Sequence, residues 1–282
     1  MKHRKFDQLS LSITKLTRNR AGGLYSSIKD MASIGRALLQ NALIHADLRR
    51  RWIKPVMHTG SLELSVGAPW EIYSYQQDSR VVDLYTKAGD VEGYSSMLAL
   101  SPEHEVGFTI LAASASATTT DLGSTVGYLS DVVGGTIIPA LEAAAKAEAK
   151  SRFEGVYKSS NRNATISIKT DDGPGLQVTE WVFDGKDMFT SLKILYGKVS
   201  SVRLFPTGLV NTNELSFRAI IQDLTSVNGI GPFTRSCKTW QRIDQSVYGN
   251  IGLDEFVFAL DGYGNGKTLF PRAWREELIR IG

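Results

Sequence analysis

The 282-residue sequence has one cysteine, Cys237, which excludes an internal disulfide framework and a cysteine-based metal cluster. Histidine is scarce too. His3, His45 and His104 show no metal-ligand spacing and are expected at the surface, so no metal and no other cofactor is expected. No apolar run approaches the roughly 18 residues of a membrane-spanning helix. The basic start Lys2-His3-Arg4-Lys5 is followed from Phe6 to Leu16 by alternating polar and apolar residues, not by the apolar core of a signal peptide. As written, the chain reads as cytoplasmic. A formal charge of only +3, with the basic residues dispersed, argues against a nucleic-acid partner.

What is present is enough apolar material, 42% of residues against 22% charged, for one large or two modest cores. Residues 1 to 20 are polar and basic and form an unmatched leader. Ser27 and Asp30 make a capping-box-like helix start, and Ile28, Met31, Ile34 and Ala37 or Leu38 supply an apolar face up to about Asn41. A second helical piece from Ala46 to Ile53 ends before Pro55. Strand patterns then follow at Trp70 to Tyr75, Arg80 to Lys87, Gly93 to Leu100 and Val106 to Ala113. Their short connections require antiparallel pairing. A helix from about Leu122 to Arg152 buries Val126, Leu129, Val133, Ile137 and Leu141, and Pro139 is expected to kink it or begin a new segment.

From Phe153 onward, turn signals recur about every ten residues. Leu215, Phe217, Ala219 and Ile221 alternate with polar residues, the mark of a half-buried strand. Trp181, Phe217, Trp240 and Phe258 are the expected large core aromatics. The fold class is therefore α+β: an antiparallel sheet with packed helices over residues 21–152, then an antiparallel β-barrel or sandwich over 153–282.

The stretch Tyr85-Thr86-Lys87-Ala88-Gly89-Asp90, continuing through Gly93-Tyr94 and Ser101-Pro102 to Val106-Gly107-Phe108 and Ala112, resembles serine β-lactamases and penicillin-binding-protein-like esterases. In those proteins a strand carries Lys-x-Gly and is followed by two more strands of one sheet. Gly22-Gly23 ahead of a short amphipathic helix, Val66-Gly67-Ala68-Pro69-Trp70-Glu71 and Gly252-Leu253-Asp254-Glu255-Phe256 extend the likeness, especially to fungal members, over residues 21–282. The resemblance implies acyl transfer from a small-molecule ester, amide or lactam to water through a serine acyl-enzyme. It also implies a partial β-lactamase or transpeptidase-like fold. Carried over position by position, Lys87 and Gly89 match, Ala88 replaces a hydroxyl residue, and Asp90 stands where a backbone N–H would face the oxyanion. A carboxylate there opposes developing negative charge unless it turns away.

The family's Ser-x-x-Lys nucleophile helix belongs well upstream of the glycine pair, and only about twenty residues precede that pair. Two Ser-x-x-Lys matches exist. Ser12 lies in the leader, and Ser26 falls at the start of the first helix, so neither occupies the family's position. The expectation is an amino-terminally shortened member, inactive as written. A non-catalytic ligand- or protein-binding remnant and an incomplete gene model are the alternatives. Tyr248-Gly249-Asn250 and Tyr263-Gly264-Asn265 imitate the family's Tyr-x-Asn element but read as turns. Gly262 to Thr268 imitates a phosphate loop, but Asp261 stands where a glycine is required and Pro271 interrupts the following helix. His58-Thr59-Gly60 reads as a surface turn.

Overall fold

The computed structural model describes residues 25–42, 44–77, 80–91, 93–116, 119–225 and 240–281. Ser12, His3, the Gly22-Gly23 pair and Cys237 lie outside these. The chain divides into two compact units between Glu142 and Ala143.

The first unit begins with α1 (Ile28–Leu39). Its amino-terminal cap is Ser27, whose Oγ accepts from Asp30 N–H at 3.2 Å while its hydroxyl donates to the Asp30 carboxylate at 2.8 Å. That reciprocal arrangement satisfies a helix-end donor. The buried face is Gly35, Leu38 and Leu39, whereas Ile28 and Ile34 are exposed, so the apolar stripe is displaced from the one read from the sequence. The reason is Gly35. A Cβ there would stand 3.2 Å from Leu100 Cδ2, so the bare backbone lets this face lie close on the sheet. α2 (Ala46–Trp52) follows and stops before Pro55.

Six strands then form one antiparallel sheet in sequence order: β1 (Met57–His58), β2 (Leu64–Val66), β3 (Glu71–Gln77), β4 (Arg80–Val91), β5 (Tyr94–Ser101) and β6 (Val106–Ala113). Successive side chains on a strand point to opposite faces. On one face Ile72, Tyr85, Leu98 and Leu100 pack with Leu38, Leu39, Ile53 and Trp70. On the other, Val82 and Leu84 pack with Ile138 of α3 (Thr119–Phe153). Each fully buried Leu or Ile contributes roughly 1.5–3 kcal/mol through area removed from water. The helix stripe also differs from expectation. Leu122, Val126, Gly134 and Ile138 are buried, and Leu129 is exposed. No new segment begins at Pro139; it denies a hydrogen bond only to the carbonyl of Gly135, which is exposed and open to water.

The second unit contains β7 (Gly155–Lys158), β8 (Thr165–Lys169), β9 (Leu176–Phe183), β10 (Lys186–Asp187), α4 (Met188–Ser191), α5 (Lys193–Tyr196), β11 (Ser201–Asn211), β12 (Glu214–Gln222), β13 (Val247–Tyr248), β14 (Ile251–Gly252), β15 (Glu255–Leu260), β16 (Gly266–Pro271) and β17 (Leu278–Ile281). Eight of these close into an antiparallel barrel in the order β9-β11-β12-β15-β16-β17-β7-β8, with β8 returning to β9. Its interior is aromatic. Phe258 lies 4.9 Å from Phe153, 5.6 Å from Tyr157 and 5.1 Å from Phe217, ring centre to ring centre. Trp181 lies 5.4 Å from Phe256. Trp240 is the exception among the expected core aromatics. It is 50% exposed and stacks on Phe205 at 4.9 Å. Trp240 precedes β13 and belongs to no barrel strand, so no inward-facing position is open to it.

The two Tyr-x-Asn segments are turns. Gly249 and Asn250 both have positive φ between β13 and β14, and Asp261 accepts from the backbone N–H groups of Tyr263 and Asn265, each at 2.8 Å. Among the described residues no helix is long and apolar enough to cross a membrane.

Candidate active site

The candidate site follows from a mismatch of strand lengths. β4 has twelve residues and β3 seven, and their pairing runs from Gln77 opposite Arg80 to Glu71 opposite Thr86. Beyond Thr86, and among the described residues, Lys87 to Val91 pair only with β5, from Lys87 opposite Leu98 to Val91 opposite Tyr94. One side of β4 is therefore open over this stretch. Thr86 fastens the corner, donating from its hydroxyl to the Glu71 carbonyl at 2.7 Å.

Alternation assigns the side chains. Tyr85, Lys87 and Gly89 share the face of β4 opposite Leu100, Leu98 and Ser96 of β5. Gly89 leaves room for Ser96, since a Cβ there would lie 2.8 Å from Ser96 Oγ and turn aside the hydroxyl that donates to the Gly89 carbonyl at 3.0 Å. Asp90 belongs to the other face. Its Oδ1 accepts from Ser95 Oγ at 2.6 Å, and its carboxylate reaches the first turns of α3, where a Cβ on Gly123 would lie 3.3 Å away. The carboxylate that would oppose an oxyanion thus points away from the Lys87 face and toward the positive end of a helix dipole.

Lys87 is paired. Its Nζ donates to Glu71 Oε1, and also to the Ala88 carbonyl at 3.0 Å. Glu71 Oε2 accepts from the Ala88 N–H at 3.0 Å. One carboxylate therefore holds both the lysine and a backbone donor of the open side. In the sequence Glu71 stands out only as the end of the Val66–Glu71 likeness, with no role at the site. Its role is set by register, and the pairing of Glu71 with Thr86 is the signal that identifies it. Nearby, burial pushes the Tyr85 hydroxyl up to about 12, aided by Asp83 and Glu103, so it stays protonated at neutral pH and offers no base.

Ser26 is exposed and donates to the Ser27 carbonyl at 3.4 Å, beside the helix cap. His45 is exposed, and His58 contacts Ser65 Oγ at 2.9 Å from the exposed strand β1. His104 differs from expectation: its side chain is only 5% exposed. The turn after β5 folds the ring inward, with Nδ1 2.8 Å from Ser101 Oγ and Nε2 2.7 Å from Glu142 Oε1. Two polar partners make that burial possible. Ser101, His104 and Glu142 form the order of a nucleophile, a base and its orienting carboxylate. However, Ser101 is 3% exposed, and the adjoining cavity of about 10 Å³ holds a water at most. No acyl substrate reaches that hydroxyl.

Residues 145–282 match the family model described as "Beta-lactamase-like-like, C-terminal domain". A β-lactamase-like protein of Arthroderma benhamiae is 26% identical over 279 residues, covering 85% of this chain and 45% of that protein. A second, from Strobilurus tenacellus, is 23% identical over 250 residues, covering 84% of this chain and 76% of its own length. The chain thus spans about half the length of the first of these relatives. Among solved structures, the octameric penicillin-binding protein homologue from Pyrococcus abyssi has 13% identity and a TM-score of 0.30, over 90% of this chain and 47% of its own. SurE with D-Leu has 14% identity and a TM-score of 0.29, over 91% and 50%. The barrel is thereby a β-lactamase-like carboxy-terminal domain. The rest of the chain is similar to β-lactamase-like proteins, and the two relatives named here are fungal.

Proposed function

We propose that this chain is a homologue of serine hydrolases in which residues 25–142 supply the lysine-bearing side of an acyl-transfer site, and that the 282-residue polypeptide by itself does not turn over acyl substrates. The observation that carries this reading is the open stretch of β4 with Lys87 on it, its charge taken up by Glu71. Nucleophilic acyl transfer requires a serine with a base in hydrogen-bond reach and preorganised donors at the developing oxyanion. Lys87 can lend positive potential only if its pairing with Glu71 loosens. Ser26, the described Ser-x-x-Lys serine, stands exposed just ahead of the α1 cap Ser27, its hydroxyl turned to the Ser27 carbonyl. The substrate class in this reading is a small ester, amide or lactam.

The test is incubation of the purified protein with a serine-reactive fluorophosphonate, followed by intact mass, alongside hydrolysis of a nitrophenyl ester and a chromogenic lactam. Turnover at the buffer rate without labelling is the expected result. Stoichiometric labelling at Ser12 or Ser26, lost on Ser→Ala together with turnover, overturns it.

A further inference from the structure

The pairing of β3 with β4 ends at Glu71 opposite Thr86, and among the described residues β4 continues for five more residues paired with no strand but β5. An open strand side presents backbone N–H groups to whatever lies beside it. Here the first of them, from Ala88, is taken by a side chain: Glu71 Oε2 accepts from it at 3.0 Å, while Glu71 Oε1 is held by Lys87 Nζ. A cation and a main-chain N–H that converge on the two oxygens of one carboxylate form an anion-accepting notch. In this chain the notch is occupied from within.

We propose that Glu71 is a built-in occupant of that notch, and that it sets the ligand preference of the site against carboxylate-bearing molecules and in favour of uncharged acyl groups. The proposal rests on reading the Lys87 side as the acyl-binding side. The charge balance supports it: Lys87 and Glu71 cancel, and Asp90 is turned to the other face by Ser95. An incoming carboxylate gains no net attraction and must displace a tethered competitor, whose effective concentration is high because it is part of the same strand pair. An uncharged acyl group needs no such displacement.

The experiment is an amide-resolved NMR titration of the full chain with sodium benzoate and, separately, with methyl benzoate, at constant ionic strength maintained with sodium chloride. The wild type, Glu71→Ala, Glu71→Gln and Glu71→Ala with Lys87→Met are compared. In the wild type, methyl benzoate shifts the resonances of Lys87 and Gly89, and benzoate gives no saturable shift at Ala88. In Glu71→Ala, benzoate binds with a saturable Ala88 shift and an apparent affinity at least about tenfold tighter, the scale of one charge-assisted contact. Adding Lys87→Met removes it. Glu71→Gln keeps the shape of the side chain without its charge and gives an intermediate gain, so a folding defect in the alanine variant does not decide the outcome. Equal benzoate binding by wild type and both Glu71 variants overturns the proposal, as does a wild type that takes benzoate in preference to its methyl ester. None of these readouts requires turnover. The notch can therefore fail while the acyl-transfer reading stands, and acyl transfer can fail while the notch stands.

Discussion

His104 Nε2 lies 2.7 Å from Glu142 Oε1, joining the turn after β5 to α3. Arg80 of β4 reaches the same oxygen at 2.8 Å and also reaches Glu103 at 2.6 Å. One carboxylate therefore ties a turn, a strand and a helix. Glu142→Ala leaves the buried His104 imidazole without its acceptor while Arg80 keeps Glu103, and the expected loss is about 1–3 kcal/mol of stability. The measurement is the urea midpoint of the full chain. A midpoint unchanged by Glu142→Ala and by His104→Ala shows the network to be energetically idle.

In the barrel, Asp171 gives a signed pH effect. Hydrogen bonding from Arg203 holds its carboxyl below the ordinary value, helped by the Gly173 N–H at 2.9 Å and opposed by burial. A carboxyl lowered by folding stabilises the fold in its ionised form. That contribution is complete above the ordinary carboxylate value, near pH 4, and fades as pH falls through the lower folded value. Asp171→Asn is therefore expected to be less stable than the wild type at neutral pH, and the difference should shrink in acid. A gap that widens on acidification refutes the assignment.

The aromatic interior separates two kinds of contribution. Phe258→Ala leaves a cavity among Phe153, Tyr157 and Phe217, with an expected cost of about 3–5 kcal/mol. Tyr157→Phe removes only a hydroxyl that donates to the Phe153 carbonyl at 2.8 Å, costing about 0.5–1.5 kcal/mol. Burial pushes that hydroxyl up to about 12, so Tyr157 should be silent in a spectrophotometric titration until the barrel unfolds or the pH reaches that value. A Tyr157 titrating with exposed tyrosines shows the interior to be wet.

Gly175 has φ +69°, and a Cβ there would stand 2.5 Å from the Leu204 carbonyl oxygen. Gly175→Ala combines a left-handed backbone penalty of roughly 1–2 kcal/mol with displacement of a main-chain atom in β11. The expected result is a clear fall in thermal midpoint, with the far-ultraviolet spectrum retained. No change would mean that the turn before β9 relaxes freely.

The succession of antiparallel strands and an antiparallel β-domain, though not the choice of barrel over sandwich, were legible because each rests on local pattern, such as the alternation of Phe217, Ala219 and Ile221 or the turns at Asn250 and Gly264. Other features were not, three of them close to the sites discussed above. The buried stripe of α1 depends on Gly35, whose packing value is invisible to hydrophobicity. His104 is buried by partners 3 and 38 residues away, and only the turn's return brings Glu142 within reach. Glu71 gains its role from where β3 stops relative to β4, a matter of register that strand pattern leaves undefined.

Closure of the eight strands leaves the barrel without a seam: among the described residues, each of its members is hydrogen-bonded on both sides. Among the described residues the six-stranded sheet has two edge strands, the two-residue β1 and the eight-residue β6, which pairs there only with β5. A long unsealed strand is a template for a foreign one. If this polypeptide associates on heating or storage, growth should therefore begin at Val106–Ala113, with the barrel carried along as a folded passenger.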